Sequence, residues 1–255
     1  MLKIGVTMDR LRTLMAPPPL AELAQGGALA LFLDFDGTLV DIAPTPDSIS
    51  VPERLASRLV NISLRFGGRV ALVSGRSLAD IENHLGPLEI ARAGSHGSDC
   101  LSAQGKRIGA APRALDPIVE QELSALVSAH EGLAPERKSH GVALHFRAAP
   151  ALEAAVTEAA RSIAARHGLH AKAGKCVVEL VWPEASKAAA VRHFMASKPF
   201  AGAIPVFIGD DVTDEDGFLA AAELGGFGVI VGNRPDTSAR FRIPDPSSVM
   251  RWLRL

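Results

Sequence analysis

The sequence predicts an α/β fold in which a parallel sheet is interrupted by a smaller α+β block of order α-β-β-α-β-β. Three observations carry that prediction. Short apolar runs at 29–33, 69–73 and 204–209 read as strands buried on both faces. Leu55, Leu59 and Ile62 recur at helical spacing between the first two runs, and such strand–helix–strand progressions imply parallel pairing. Between about 113 and 183 the strands are instead joined by short hairpin connections, which pair antiparallel.

Taken in order, residues 1–27 form an extension without a catalytic pattern. Pro17-Pro18-Pro19 stops any preceding helix, and 20–25 can add one helical turn. The strand at 29–33 runs into Asp34-Phe35-Asp36-Gly37-Thr38. Residues two apart on a strand share a face, so Asp34 and Asp36 point the same way at its carboxyl end. Gly37 permits a sharp turn there. Ligands of open α/β sheets bind beyond the carboxyl ends of the strands, and two paired acids in that place suit a divalent cation and a carboxylate nucleophile. A helix is expected to open at Pro52 and to end at Gly67-Gly68. The strand at 69–73 delivers Ser74-Gly75-Arg76-Ser77, followed by a helix to about His84 that Ser77 or Ser74 can cap. A further strand at 91–94 ends in Ser95-His96-Gly97. A lone loop histidine is more often structural than catalytic, so His96 is not counted among the catalytic residues.

The inserted block reads as a helix over 116–129, extended segments at 133–138 and 141–147, a helix over 151–166, and strands at 170–173 and 176–181. Alternation puts Val142, Leu144 and Phe146 on one face and His145 and Arg147 on the other. In the last strand Cys176, Val178 and Leu180 form the apolar face, leaving Lys175 and Glu179 opposite. The block thus has an apolar face for its two helices and a polar face that, taken by itself, reads as a solvated surface before a binding one.

After Trp182-Pro183, Ser186 opens a helix to Met195 with Lys187 in its first turn. The helix dipole prefers anions there, so the misplaced lysine fits one that faces a negative ligand, although a lone surface lysine is also common. The strand at 204–209 then delivers five acids in seven residues, Asp210 to Asp216. Thr213 and Asp216 fit a capping box, whereas Asp210 and Asp211 precede the helix and are less easily explained by capping. A last strand at 228–231 and a helix at 247–253 complete the chain.

Composition narrows the classes. A chain of 255 residues, 47% hydrophobic and 22% charged, is that of an ordinary globular protein. A net charge of −1 gives no electrostatic case for nucleic acid or an anionic membrane. Asp9, Arg10 and Arg12 interrupt any export signal, and no apolar run reaches the roughly 18 residues needed to span a bilayer. Cys100 and Cys176 have no metal-ligand spacing. The expectation is a cytosolic protein without a disulfide framework.

The ordered set D-x-D-G-T, S-G-R, Lys187 and G-D-D-x-x-D resembles the haloacid dehalogenase (HAD) superfamily of phosphatases. Within it, Gly209 to Glu215, Glu136-Arg137-Lys138 through His145-Phe146-Arg147, and Gly174 to Leu180 are similar to the trehalose-6-phosphate phosphatase family. Ala188 departs from that pattern, where glycine commonly follows the lysine. The resemblance implies a HAD-like Rossmannoid core over 28–112 and 184–255, with a C2-type cap over 113–183 behind the 1–27 extension. It implies Asp34 as nucleophile, Asp36 as acid and base, and Ser74 and Lys187 on the phosphoryl oxygens, with Asp214 orienting Lys187 or a metal-bound water. Mg²⁺ is expected on Asp34, the Asp36 carbonyl and Asp210, with Asp211 in support; a hard cation among oxygens fits Mg²⁺ better than zinc. Thr38 and Arg76 are expected to contact substrate, and Lys138, His145, Arg147, Lys175 and Glu179 to read the sugar from one sheet face. The expected substrate is a sugar phosphate, with a functional link to a trehalose-6-phosphate synthase. Other sugar phosphates, or a non-catalytic sugar-phosphate sensor, are the competing readings.

Overall fold

Alternate residues of the first strand serve two different cores. In the computed structural model, which describes residues 14–43, 45, 48–138, 141–174 and 176–255 (the Lys138 side chain excepted), Leu29–Leu33 is buried along its whole length. The amino-terminal part comprises α1 (Leu20–Leu23), β1 (Leu29–Leu33), α2 (Leu55–Arg65), β2 (Val70–Val73), α3 (Leu78–Leu85), β3 (Ala91–Gly94), β4 (Asp99–Leu101) and β5 (Arg107–Ile108). The middle comprises α4 (Pro117–Ala129), β6 (Ala134–Lys138), β7 (Gly141–His145), α5 (Glu153–His167), β8 (His170–Gly174) and β9 (Val177–Val181). The remainder is α6 (Lys187–Met195), β10 (Ile204–Gly209), α7 (Glu215–Glu223), β11 (Phe227–Val231), β12 (Phe241–Ile243) and α8 (Pro246–Leu253).

Among the described residues the larger sheet has the order β12-β11-β10-β1-β2-β3-β4-β5. It is parallel from β12 to β3 and antiparallel at β3–β4 and β4–β5. Leu29, Leu31 and Leu33 pack with Leu55, Leu59 and Ile62 of α2 and with Val249 and Leu253 of α8. Ala30 and Phe32 face the opposite way, toward Val191 and Phe194 of α6 and Phe218 of α7. Burying each of its leucine and phenylalanine side chains contributes about 1.5–3 kcal/mol, so the strand that carries the acids is firmly held in the sheet. The described part of the extension joins the same core through Leu20, and the Trp252 indole donates to the Pro18 carbonyl at 2.8 Å.

The smaller sheet is antiparallel, in the order β6-β7-β9-β8. Val142, Leu144, Phe146, Val178 and Leu180 meet Val119 and Leu123 of α4 and Val156, Ala160 and Ile163 of α5 in a third core. The opposite face presents Glu136, Ala143, Glu179 and Lys172 in one row across the four strands.

Local readings differ in several places. The helix after the first strand begins at Leu55, because Pro52–Arg54 form a turn in which Arg54 is left-handed (φ 60°). Strands β4, β5 and β12 were not expected; they have three, two and three residues and too little alternation to register as strands. Strand β7 stops at His145 and the chain turns, with Ala149 N–H donating to the Phe146 carbonyl at 2.9 Å. Arg147 is therefore exposed in that turn and does not share the His145 face, correcting the expectation from alternation. Cys176 likewise lies outside β9, in a left-handed conformation (φ 58°). The expected hairpin residues Ser139 and His140 lie outside the described residues. No helix among the described residues is long and apolar enough to cross a membrane.

Candidate active site

The loops at the carboxyl ends of β1, β2 and β10 and the first turn of α6 converge on one acidic centre. Asp34 leaves β1 buried, only 4% exposed, its N–H donating to the Ile208 carbonyl at 2.9 Å. Ser186 caps α6 by accepting the Ala189 N–H at 3.1 Å, which places Lys187 one position into the helix. The Lys187 ammonium lies between Asp34 Oδ1 at 2.8 Å and Asp214 Oδ1 at 2.5 Å. Burial alone would pull Lys187 down, but the carboxylates of Asp214 and Asp34 more than reverse this and hold it charged.

Asp214 is fully buried, and its other oxygen accepts the N–H groups of Asp210 at 3.0 Å and Asp211 at 2.9 Å. The capping box here is Asp211 with Asp214, not Thr213 with Asp216. A 3₁₀ turn over Val212–Asp214 precedes α7 and moves the cap two residues toward the strand. The Asp211 carboxylate is thus engaged with the Asp214 backbone N–H.

Asp34, Asp210 and Asp214 each offer a carboxylate oxygen, all within 4.8 Å of one another. Burial, then the neighbouring carboxylate of Asp214, pushes Asp210 up to about 7, with Lys187 opposing. Burial raises Asp34 as well, with Lys187 opposing and Asp214 and Asp210 adding to the shift. One lysine does not balance this much negative charge, and an all-oxygen donor set matches a hard divalent cation such as Mg²⁺. Gly37 makes the crowding feasible: it turns with φ +74°, and a Cβ there would stand 2.1 Å from Asp210 Oδ2.

Around this centre, the buried Thr38 hydroxyl has no hydrogen-bond partner among the described residues. An unsatisfied buried hydroxyl costs roughly 1–3 kcal/mol, which a ligand oxygen would recover. Ser74 is buried at the end of β2, and its hydroxyl accepts the Arg76 N–H at 3.1 Å. Arg76 holds Asp36, with Nε 2.6 Å from Oδ2 and Nη2 2.8 Å from Oδ1.

The smaller sheet meets the core through two residues that sequence reasoning did not select and one that it did. Glu179 Oε2 lies 3.3 Å from Nε2 of His96. His96 follows β3 in a left-handed conformation (φ 56°), and a Cβ at Gly75 would be 2.7 Å from its ring. A side chain at position 75 would therefore displace the His96 ring. Lys172, directly opposite Glu179 on β8, donates to the Ala185 carbonyl at 2.7 Å. Burial lowers Lys172, opposed by Asp216 and Glu179. Pairing opposite Glu179 was the available signal for Lys172; nothing local marks His96. His145 pairs with Glu136 at 2.9 Å and is half exposed. Arg147 is exposed in its turn, Lys138 is described only as backbone at the end of β6, and Lys175 lies outside the described residues.

Comparison with known proteins points the same way as this geometry. The family model described as trehalose-phosphatase matches residues 32–247. A trehalose-6-phosphate phosphatase from Escherichia coli is 36% identical over 240 residues, covering 93% of this chain and 90% of that protein. The C-terminal domain of the Candida albicans trehalose-6-phosphate phosphatase superposes with a TM-score of 0.76 at 20% identity, covering 94% of this chain and 96% of that one. A HAD-superfamily phosphatase from Bacteroides thetaiotaomicron shares the fold at a TM-score of 0.63 and 15% identity, with 97% of each chain covered.

Proposed function

Because the chain belongs to the trehalose-phosphatase family of the HAD superfamily, we propose that Asp34 takes the phosphoryl group from trehalose 6-phosphate and passes it to water. The observation that carries this reading is the buried row Asp34–Lys187–Asp214 beside Asp210, at the carboxyl end of β1. Asp34 attacks phosphorus, the bond to the sugar oxygen breaks, and Asp36 gives its proton to that oxygen. Water then attacks the aspartyl phosphate, Asp36 takes the water proton, and phosphate leaves with Asp34 restored. Lys187 stays charged throughout and holds the phosphoryl oxygens, with the Ser74 and Thr38 hydroxyls beside it. Asp214 keeps Lys187 aimed. Mg²⁺, held by Asp34, Asp210 and the Asp36 carbonyl, with Asp211 in support, supplies neutralising charge to the phosphoryl oxygens when bound.

Residues 113–183 act as the cap in this reading, and their polar sheet face reads the sugar. Glu179 suits that task because an anion repels phosphate yet accepts hydrogen bonds from sugar hydroxyls. Lys138, His145, Arg147 and Lys175 are assigned to the sugar by family resemblance alone. The compartment proposed is the cytosol, consistent with two free cysteines, and the substrate would come from a trehalose-6-phosphate synthase. The test is phosphate release from trehalose 6-phosphate, sucrose 6-phosphate and glucosylglycerol phosphate, with and without Mg²⁺. The expected result is Mg²⁺-dependent release, strongest for trehalose 6-phosphate. Release from another substrate in preference would overturn the assignment.

A further inference from the structure

The guanidinium of Arg76 is gripped on both sides. Nε and Nη2 donate to the two carboxylate oxygens of Asp36, at 2.6 and 2.8 Å. Nη1 donates to Asp80 Oδ2 at 2.6 Å and lies 3.1 Å from His84 Nε2. The Arg76 side chain is only 8% exposed, whereas that of Asp36 is 36% exposed. The local sequence explains how the anchor is built. Arg76, Asp80 and His84 recur every four residues and so share one face of α3 and its entry. Ser77 caps that helix by taking the Asp80 N–H at 3.1 Å, which leaves the Asp80 carboxylate to Arg76.

A two-bonded guanidinium fork fixes the plane of the carboxylate it holds. Asp36 must present one oxygen to the departing sugar oxygen, and its own exposure gives it room to turn away. We propose that Asp80, through Arg76, is a positioning residue for the acid/base Asp36. The inference rests on the role given to Asp36 above. Without Asp80 the arginine loses its fixed end, and Asp36 loses the orientation in which, as the carboxylic acid, it gives its proton to a poor leaving group and becomes the carboxylate.

The experiment compares kcat/KM for a sugar phosphate with kcat/KM for 4-nitrophenyl phosphate in Asp80→Asn and Asp80→Glu. A sugar alkoxide needs a proton as it leaves, whereas nitrophenolate leaves without one. Steps after departure do not enter kcat/KM, so the later water attack does not confuse the comparison. Asp80→Asn should lower the sugar-phosphate value about tenfold or more and the nitrophenyl value less than about threefold, a partial loss of what general acid catalysis supplies. Asp80→Glu should recover most of the loss. Equal falls on both substrates would overturn the proposal, because they would place Asp80 in phosphate binding or folding. No fall on either would overturn it too, showing that Asp36 needs no anchor. Should the wild type prefer a sugar phosphate other than trehalose 6-phosphate, that substrate takes its place, and the leaving-group comparison stands apart from the identity of the sugar.

Discussion

Replacing Asp214 by alanine tests how the centre is held together. Asp214 is fully buried and accepts three hydrogen bonds, from Lys187 at 2.5 Å, Asp210 N–H at 3.0 Å and Asp211 N–H at 2.9 Å. Hydrogen bonds to a charged group are each worth roughly 1.5–3 kcal/mol, but Lys187 keeps Asp34 as a partner and the two amides lie near solvent-accessible loops. Breaking a buried ion pair on one side costs about 3–5 kcal/mol, and that is the expected loss here. For a chain of this size such a loss lowers Tm by roughly 10 °C. Asp214→Asn retains an acceptor for the amides and should lose less, about half as much, while still releasing Lys187 from its charged partner. Thermal and urea unfolding of both variants give the stabilities, and phosphate release gives the activities. A loss below about 1 kcal/mol in Asp214→Ala would refute the view that this carboxylate supports the centre.

Further outcomes follow from the same geometry. Asp34→Asn should bind substrate and release essentially no phosphate, since it keeps the shape of the nucleophile and removes its charge; near-normal turnover would remove Asp34 from that role. Asp210 stands at about 7 in the folded protein, well above the unfolded carboxyl value of about 3.9. The folded state therefore binds that proton more tightly, and stability is lost as pH rises between those two values. Chelator-treated protein should melt at a lower temperature at about pH 8 than at about pH 5, and Mg²⁺ should raise Tm more at the higher pH. An identical Mg²⁺ effect at both pH values would contradict this. Glu179→Ala should reduce kcat/KM for trehalose 6-phosphate about ten- to hundredfold and that for an aryl phosphate little, the loss of one or two hydrogen bonds to a charged group. Equal losses would return Glu179 to a supporting role beside His96.

Why some features were legible and others not comes down to range. The apolar run of β1 and the periodicity of α2 are local, and Leu31 and Phe32 pack in opposite cores as that pattern implies. Lys187 was noticeable because a cation in a first helical turn conflicts with the dipole, and its ammonium lies between two buried carboxylates. The cap of α7 was misjudged because a 3₁₀ turn intervenes, which side-chain spacing alone does not reveal. Arg147 was misplaced because alternation says nothing about where a strand stops. His96 carries no periodic or compositional signal, and the four-residue spacing of Arg76, Asp80 and His84 fits an ordinary helix face as well as an anchor. The importance of His96 and of that spacing arises only when Glu179 and Asp36 arrive from elsewhere in the chain.

The most direct measurement of the central claim is chemical trapping of Asp34. The Mg²⁺-loaded enzyme is mixed with trehalose 6-phosphate, quenched in acid during turnover, reduced with borohydride and digested for mass spectrometry. An aspartyl phosphate on Asp34 is reduced to homoserine at position 34, and that conversion is expected only when substrate is present. Substrate turnover without any change at position 34, or with the change at Asp36, Asp210 or Asp214, would contradict the account.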